Sequence, residues 1–193
     1  YNINQSENDR YEMKAYDLTD ESFERVLRMT TEKSPQIRPY DYRASAGKIS
    51  CGYSYGDVLV MSFWARATHI TDDTGAAYVG VTLEETSGWR KDFAEDVKVT
   101  SEWKKYYIPV TAGANVADQG AWLSFYCGFK PQTVEVAGFS LVNYKKTVEL
   151  SQLKERANAD TYKGREKDAL WRQQAQKRIE KYRMNEFTVK VVD

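Results

Sequence analysis

Cysteine and histidine are scarce in this 193-residue chain: two of the first, Cys51 and Cys127, and one of the second, His69. Two cysteines are too few for a disulfide scaffold and have no metal-ligand spacing. Both sit in apolar, strand-like runs, which suits two buried free thiols better than one disulfide, although an exported protein could form that bridge. A single histidine excludes a histidine-based metal cluster and leaves one imidazole for any Ser-His-Asp arrangement. Because it precedes Thr71-Asp72-Asp73-Thr74-Gly75, His69 reads as an exposed loop residue. There is no excess of either charge, with 28 Lys and Arg against 28 Asp and Glu. That balance argues against nucleic-acid binding and against a polybasic membrane anchor. No apolar run approaches the roughly 20 residues that span a bilayer. No signal segment, phosphate loop or CxxC pair is present. The first residue is Tyr1 rather than Met, which reads as a mature piece or a cloned fragment.

Aromatic residues are plentiful: Tyr 14, Phe 7 and Trp 5, together 13% of the chain. Tyrosine joins an apolar body to a polar tip, as a wet binding surface needs, and β-strands favour aromatics in any case. The most informative stretch is Gly56-Asp57-Val58-Leu59-Val60-Met61-Ser62-Phe63-Trp64-Ala65-Arg66. A Gly-Asp turn signal launches a long apolar run that reads as a strand. Side chains on a strand alternate between faces. Leu59, Met61, Phe63 and Ala65 therefore share a core face, and Val60, Ser62, Trp64 and Arg66 the other. A flat ring two residues from a guanidinium can stack on a ligand and hydrogen-bond its edge.

Two further strands repeat the pattern. On 76–85, Ala77, Val79, Val81 and Leu83 oppose Tyr78, Gly80, Thr82 and Glu84; on 121–129, Ala121, Leu123, Phe125 and Cys127 oppose Trp122, Ser124, Tyr126 and Gly128. Three strands thus pair an apolar face with one mixing aromatic, hydroxyl, glycine and charged groups. Gly80 and Gly128 would lower that second face and let a ligand approach the backbone. Aromatic rings stack on the C–H faces of sugars while polar groups bond the hydroxyls. The mixed face therefore reads as a polysaccharide groove, or as a surface packed under loops or termini; alternation does not separate the two.

Further strands are expected at 22–30, 36–42, 48–53, 97–100, 104–110, 133–136 and 138–144, after an irregular 1–20. Trp103 is expected in the core at the start of its strand. Many short strands divided by turns predict an all-β antiparallel sandwich or jelly roll over 1–144. Residues 145–163 read as a polar linker. From Gly164 the pattern turns helical, with Trp171, Ala175, Ile179 and Tyr182 on one face, and Phe187–Asp193 reads as a strand. Catalysis finds little support. The pairs Asp72-Asp73 and Glu84-Glu85 are adjacent, so on strands they point apart. The acidic residues Glu7, Asp9, Asp17, Asp20 and Glu21 are solvated loop residues or, alternatively, ligands for Ca²⁺.

These residues carry a resemblance. The 56–66 strand, Thr100-Ser101-Glu102-Trp103-Lys104-Lys105-Tyr106-Tyr107-Ile108-Pro109-Val110, and the run from Phe129 to Leu141 resemble strands of xylanase-attached carbohydrate-binding modules of families four, nine and twenty-two. The tail (164–172, 178–183 and 187–193) resembles the lead-in to a family-ten glycoside hydrolase. The resemblance implies a β-sandwich jelly roll that binds xylan or a related β-glycan on a concave sheet. It matches Trp64, and then Tyr126, to the binding tryptophan and tyrosine of family twenty-two. The glutamate two residues after that tyrosine is Gly128 here, with Glu84 or Gln132 as substitutes. Many such modules carry an Asp-Asp pair near a structural Ca²⁺, where this chain has Val134-Glu135-Val136. The expected ligand-binding set is Trp64, Arg66, Tyr78, Glu84, Trp122, Tyr126 and Gln132. The expected role is non-catalytic: an extracellular module that targets an attached xylanase to plant cell wall polysaccharide, with no cofactor and no nucleic-acid or membrane partner. A structural or docking jelly roll is the alternative, and a glycosidase a third.

Overall fold

The computed structural model describes residues 11–17, 25–33, 38–153 and 170–183. The chain divides into two compact units, Tyr1–Asn158 and Ala159–Asp193. In the first, the strands are β1 (Tyr11–Asp17), β2 (Arg25–Thr31), β3 (Arg43–Lys48), β4 (Val58–Ile70), β5 (Ala77–Glu85), β6 (Lys91–Val99), β7 (Lys104–Thr111), β8 (Ala121–Tyr126) and β9 (Gln132–Asn143). They form a five-stranded sheet in the order β1-β2-β9-β4-β7 and a four-stranded sheet in the order β3-β8-β5-β6. All pairings are antiparallel. The unit is an antiparallel β-sandwich of the jelly-roll type.

Alternation explains the layers. Leu59, Met61, Phe63 and Ala65 of β4 have no exposed surface, nor do Val79, Val81 and Leu83 of β5 or Phe125 of β8. These are the core faces that the sequence pattern assigns. The sheets interlock through aromatic contacts: Phe125 of β8 meets Phe63 of β4 and Phe139 of β9 edge-on, with ring centroids 5.6 and 5.9 Å apart, while Phe63 stacks on Tyr106 within its own sheet. Burying each such side chain contributes about 1.5–3 kcal/mol, and the rings sit within one continuous core shared by both sheets.

Several boundaries differ from expectation. Part of the supposedly irregular N-terminus, Tyr11–Asp17, is an edge strand on β2. The segments expected at 133–136 and 138–144 are one strand, β9. Gly138, at φ 53°, supplies an extra residue between Ala137, which pairs with Trp64, and Ser140, which pairs with Ser62. Such a bulge bends a strand without ending it. The strand expected at 48–53 is shifted to β3, and 49–57 is a loop tied down by the Tyr53–Val116 bridge. The expected 36–42 strand is, where described, a short 3₁₀ turn at Pro39–Asp41. His69 is exposed but lies on β4, after a bulge at Ala67/His69. Cys127 is buried and Cys51 exposed, and both are free thiols, so neither the disulfide nor two buried thiols is found. The expected linker starts inside the first unit: Lys145 accepts a hydrogen bond from Val58 N–H at 2.7 Å, and Leu150–Gln152 form a 3₁₀ turn.

In the second unit the helix is α1 (Leu170–Arg183). Trp171 and Ile179 of its expected apolar face are exposed and Ala175 is half-buried. The expected strand at 187–193 and the helix start at Gly164 lie outside the described residues.

Candidate functional site

A sandwich has two outward faces, and six of the seven expected ligand-binding residues are divided between them, with Gln132 on neither. Trp64 and Arg66 point outward from β4 on the five-stranded sheet. Tyr78 and Glu84 of β5, with Trp122 and Tyr126 of β8, belong to the four-stranded sheet. These groups are separated by the whole core and cannot grip one ligand. The expectation of a single shared face is therefore corrected: period-two alternation shows which residues leave the core but not which sheet they leave from.

On the five-stranded sheet, Trp64 and Arg66 meet residues from three other elements. Arg66 on β4 pairs in register with Glu135 on β9, and Glu135 with Arg28 on β2, so the three lie in one row across the sheet. Glu135 has no exposed surface, and each of its oxygens accepts from a guanidinium. Arg28 Nε and Nη2 donate to Oε1 at 2.9 and 2.6 Å, and Arg66 Nε donates to Oε2 at 2.7 Å. A buried carboxylate is costly unless charged donors compensate it, as they do here. The Arg66 guanidinium also lies over the Trp103 ring, 4.8 Å from its centroid. Next to this row, Trp64 and Trp103 pack on Val26 and Ala137, a second apolar cluster outside the main core. Trp103 is half-buried in that cluster and not in the core as expected. It precedes β7, so its ring turns to the outward side.

Arg28, Glu135 and Trp103 are thus absent from the expected set. The signal for Glu135 is present in Val134-Glu135-Val136: one carboxylate in an apolar alternation must face away from the core. Arg28 between Leu27 and Met29 follows the same rule.

The four-stranded sheet binds up most of its polar groups internally. Gly80 does open space, but Tyr126 fills it: a Cβ added at Gly80 would fall 1.9 Å from the Tyr126 ring. The Tyr126 hydroxyl donates to Asp96 Oδ1 at 2.5 Å, and burial, with the Asp96 carboxylate beside it, pushes its pKa well above the usual tyrosine value. Glu84 is 5% exposed between Lys91 at 2.6 Å and Arg43 at 3.5 Å. Trp122 carries the Lys48 ammonium 5.1 Å from its ring centroid. Gln132 lies between the sheets and is occupied by backbone: its amide accepts from Tyr78 N–H at 2.9 Å and donates to Tyr78 O at 2.6 Å. Gly128 lets Pro39 approach, since an added Cβ would fall 2.4 Å from Pro39 O. Tyr78 and Tyr126 flank Phe129, at 5.7 and 5.8 Å between centroids, and Tyr78, Phe129 and Gln132 line a cavity of about 230 Å³. An Asp72–Lys130 ion pair of 2.6 Å stands beside it.

Among the described residues, no group of three His, Cys, Asp or Glu side chains could hold a metal ion. Of the acidic residues considered for Ca²⁺, only Asp17 is described. No helix among the described residues is long and apolar enough to cross a membrane.

No family model matches the chain, and no curated protein matches it. Solved structures do. A candidate sugar binding protein from Bacteroides thetaiotaomicron VPI-5482 aligns over 73% of this chain and 86% of its own, with 12% identity and a TM-score of 0.52. A family-four carbohydrate-binding module aligns over 68% and 77%, with 18% identity and a TM-score of 0.49. The xylan-binding domain of Xyn10C from Paenibacillus barcinonensis aligns over 70% and 82%, with 13% identity and a TM-score of 0.45. At such identities the likeness is one of fold.

Proposed function

We propose that the sandwich is a non-catalytic carbohydrate-binding module that holds a β-linked glycan, with xylan as the leading ligand, on the outward face of its five-stranded sheet. One observation carries this reading. Two indoles, Trp64 and Trp103, stand beside a guanidinium that lies over one of the rings and is anchored by a fully buried carboxylate. Outward-facing positions of a sheet ordinarily carry hydrated polar side chains, and a half-buried aromatic and guanidinium cluster there suits stacking on pyranose rings and bonding of their hydroxyls. Arg66 acts as a hydroxyl donor at the rim of Trp64, and Glu135 fixes its orientation. Tyr78, Glu84, Trp122 and Tyr126 then leave the ligand-binding set and serve the fold of the other sheet, and Gln132 leaves it as a bridge between the two sheets.

The tail's resemblance to the lead-in of a family-ten hydrolase supports a wider role: an extracellular module that delivers an attached xylanase to plant cell wall polysaccharide. Replacing Trp64 with Ala should weaken xylan retention by about 1–3 kcal/mol, read as faster migration in a xylan-containing native gel. Unchanged migration would overturn the assignment. A docking jelly roll without sugar binding is the second reading, favoured by one observation: Val26, Ala137 and Glu135 have no exposed surface although they point away from the core. Under that reading the wild-type protein would not be retarded by any polysaccharide tested.

A further inference from the structure

The loop between β5 and β6 holds a feature that the five-stranded face does not use. Trp89, at its tip, has a φ of 58° and is 71% exposed. Left-handed backbone is unfavourable for a bulky side chain, and glycine or asparagine would adopt it more readily. The other described non-glycine residues with positive φ, Gln119 and Lys145, are polar. A buried ring could offset such strain by packing, but this ring stands mostly in solvent. Persistent strain with no packing return is characteristic of functional positions.

The loop beneath the ring is tied down by side-chain hydrogen bonds. Arg90 Nε donates to Glu85 Oε1 at 2.8 Å, and Arg90 Nη1 and Nη2 donate to the two oxygens of Asp92 at 2.8 and 2.9 Å. The Asp92 side chain is almost fully buried; it also accepts from the Tyr53 hydroxyl and, at 2.8 Å, from Gly113 N–H. The network therefore ties the β5–β6 hairpin to the loops at 49–57 and 112–120. Tyr55, 66% exposed, rises from the first of these, its backbone N–H held by Asn115 Oδ1 at 2.8 Å. A clamped base carrying a solvent-facing indole is a preorganised platform, which loses little freedom when a ligand lands on it.

We infer that Trp89 forms a second carbohydrate contact at this loop end, stacking on a pyranose ring, with the partly exposed Arg90–Glu85 pair beside it to bond hydroxyls. The inference rests on the sugar-binding reading above but uses a different part of the molecule. The contact is separate from the Trp64 face and adds to retention on long or insoluble chains, which can touch both.

The test compares wild type, W64A, W89G and W89F for depletion on insoluble xylan and for binding of xylohexaose, with thermal midpoints measured alongside. W89G should lose about fivefold or more in affinity for insoluble xylan while its thermal midpoint stays the same or rises, because glycine relieves the backbone. W89F should keep most of the affinity. If W64A weakens binding and W89G does not, the loop-end contact is overturned and the sheet-face reading stands. If W89G weakens binding and W64A does not, the loop-end contact stands and the sheet-face reading falls. If wild type binds neither ligand, both fall.

Discussion

Glu135→Gln tests the row that organises the five-stranded face. The substitution keeps the shape of the side chain and removes its charge. A glutamine has one acceptor oxygen, and its NH₂ donates. Glu135 now accepts from Arg28 through Oε1 and from Arg66 through Oε2. The amide can satisfy one guanidinium, but it turns a donor toward the other. Breaking a buried pair by removing one partner commonly costs about 3–5 kcal/mol. Here the arginine side chains retain 44% and 28% exposure, so water can take up part of the released charge. The loss should therefore be smaller, about 2–3 kcal/mol, or roughly 5–10 °C in the midpoint of a sandwich this size. Urea unfolding of E135Q, R66A and the double variant reads it directly, and the pair should show coupling of about 1 kcal/mol or more. Additive losses, or a loss below about 0.5 kcal/mol, would refute the view that Glu135 anchors Arg66.

Other consequences follow from particular atoms. Gly80→Ala drives a methyl into the Tyr126 ring and should cost about 1–3 kcal/mol in urea unfolding; a neutral result would mean that the ring has room to move. Thr82 Oγ1 is buried without a partner, so Thr82→Val should stabilise the fold by about 1 kcal/mol, and a loss of stability would show a hidden partner. Burial pushes the Cys127 thiol up to about 12, and burial together with Asp96 and Asp92 raises Tyr126 and Tyr53. Raised values mean that the folded state holds these protons more tightly. Their contribution is thus full below the unfolded values of about 8.5 and 10, and is lost as pH climbs toward the folded ones. Stability should decline above about pH 9, tracked by thermal midpoint; a flat profile to pH 11 would contradict the burial of these groups.

The core was legible because hydrophobic alternation is a local signal. Leu59 to Ala65, Val79 to Leu83 and Phe125 all face inward as their spacing predicts. Sheet membership was not legible, because it depends on which strands pair across long sequence separations. That is why alternation alone puts Trp64 and Tyr126 on one face although β4 and β8 belong to different sheets. Gly80 and Tyr126 show a second limit: both are outward on their strands, yet the ring of one occupies the space above the other. Gln132 shows a third. It enters the expected set only as a substitute for the glutamate that the family resemblance implies, and only its bonds to Tyr78 reveal a splint between the sheets. The Arg28–Glu135–Arg66 row was half legible: each charge stands out in an apolar run, but the register that joins them does not.

The central claim is that glycan lies on the five-stranded face. The most direct measurement is an NMR titration of the chain with xylohexaose, following indole N–H and arginine Nε–H signals. The account predicts saturable shifts at Trp64, Trp103 and Arg66, with Trp122 unmoved. Shifts confined to Trp122 and the tyrosines of the four-stranded sheet, or no shifts at all, would contradict it.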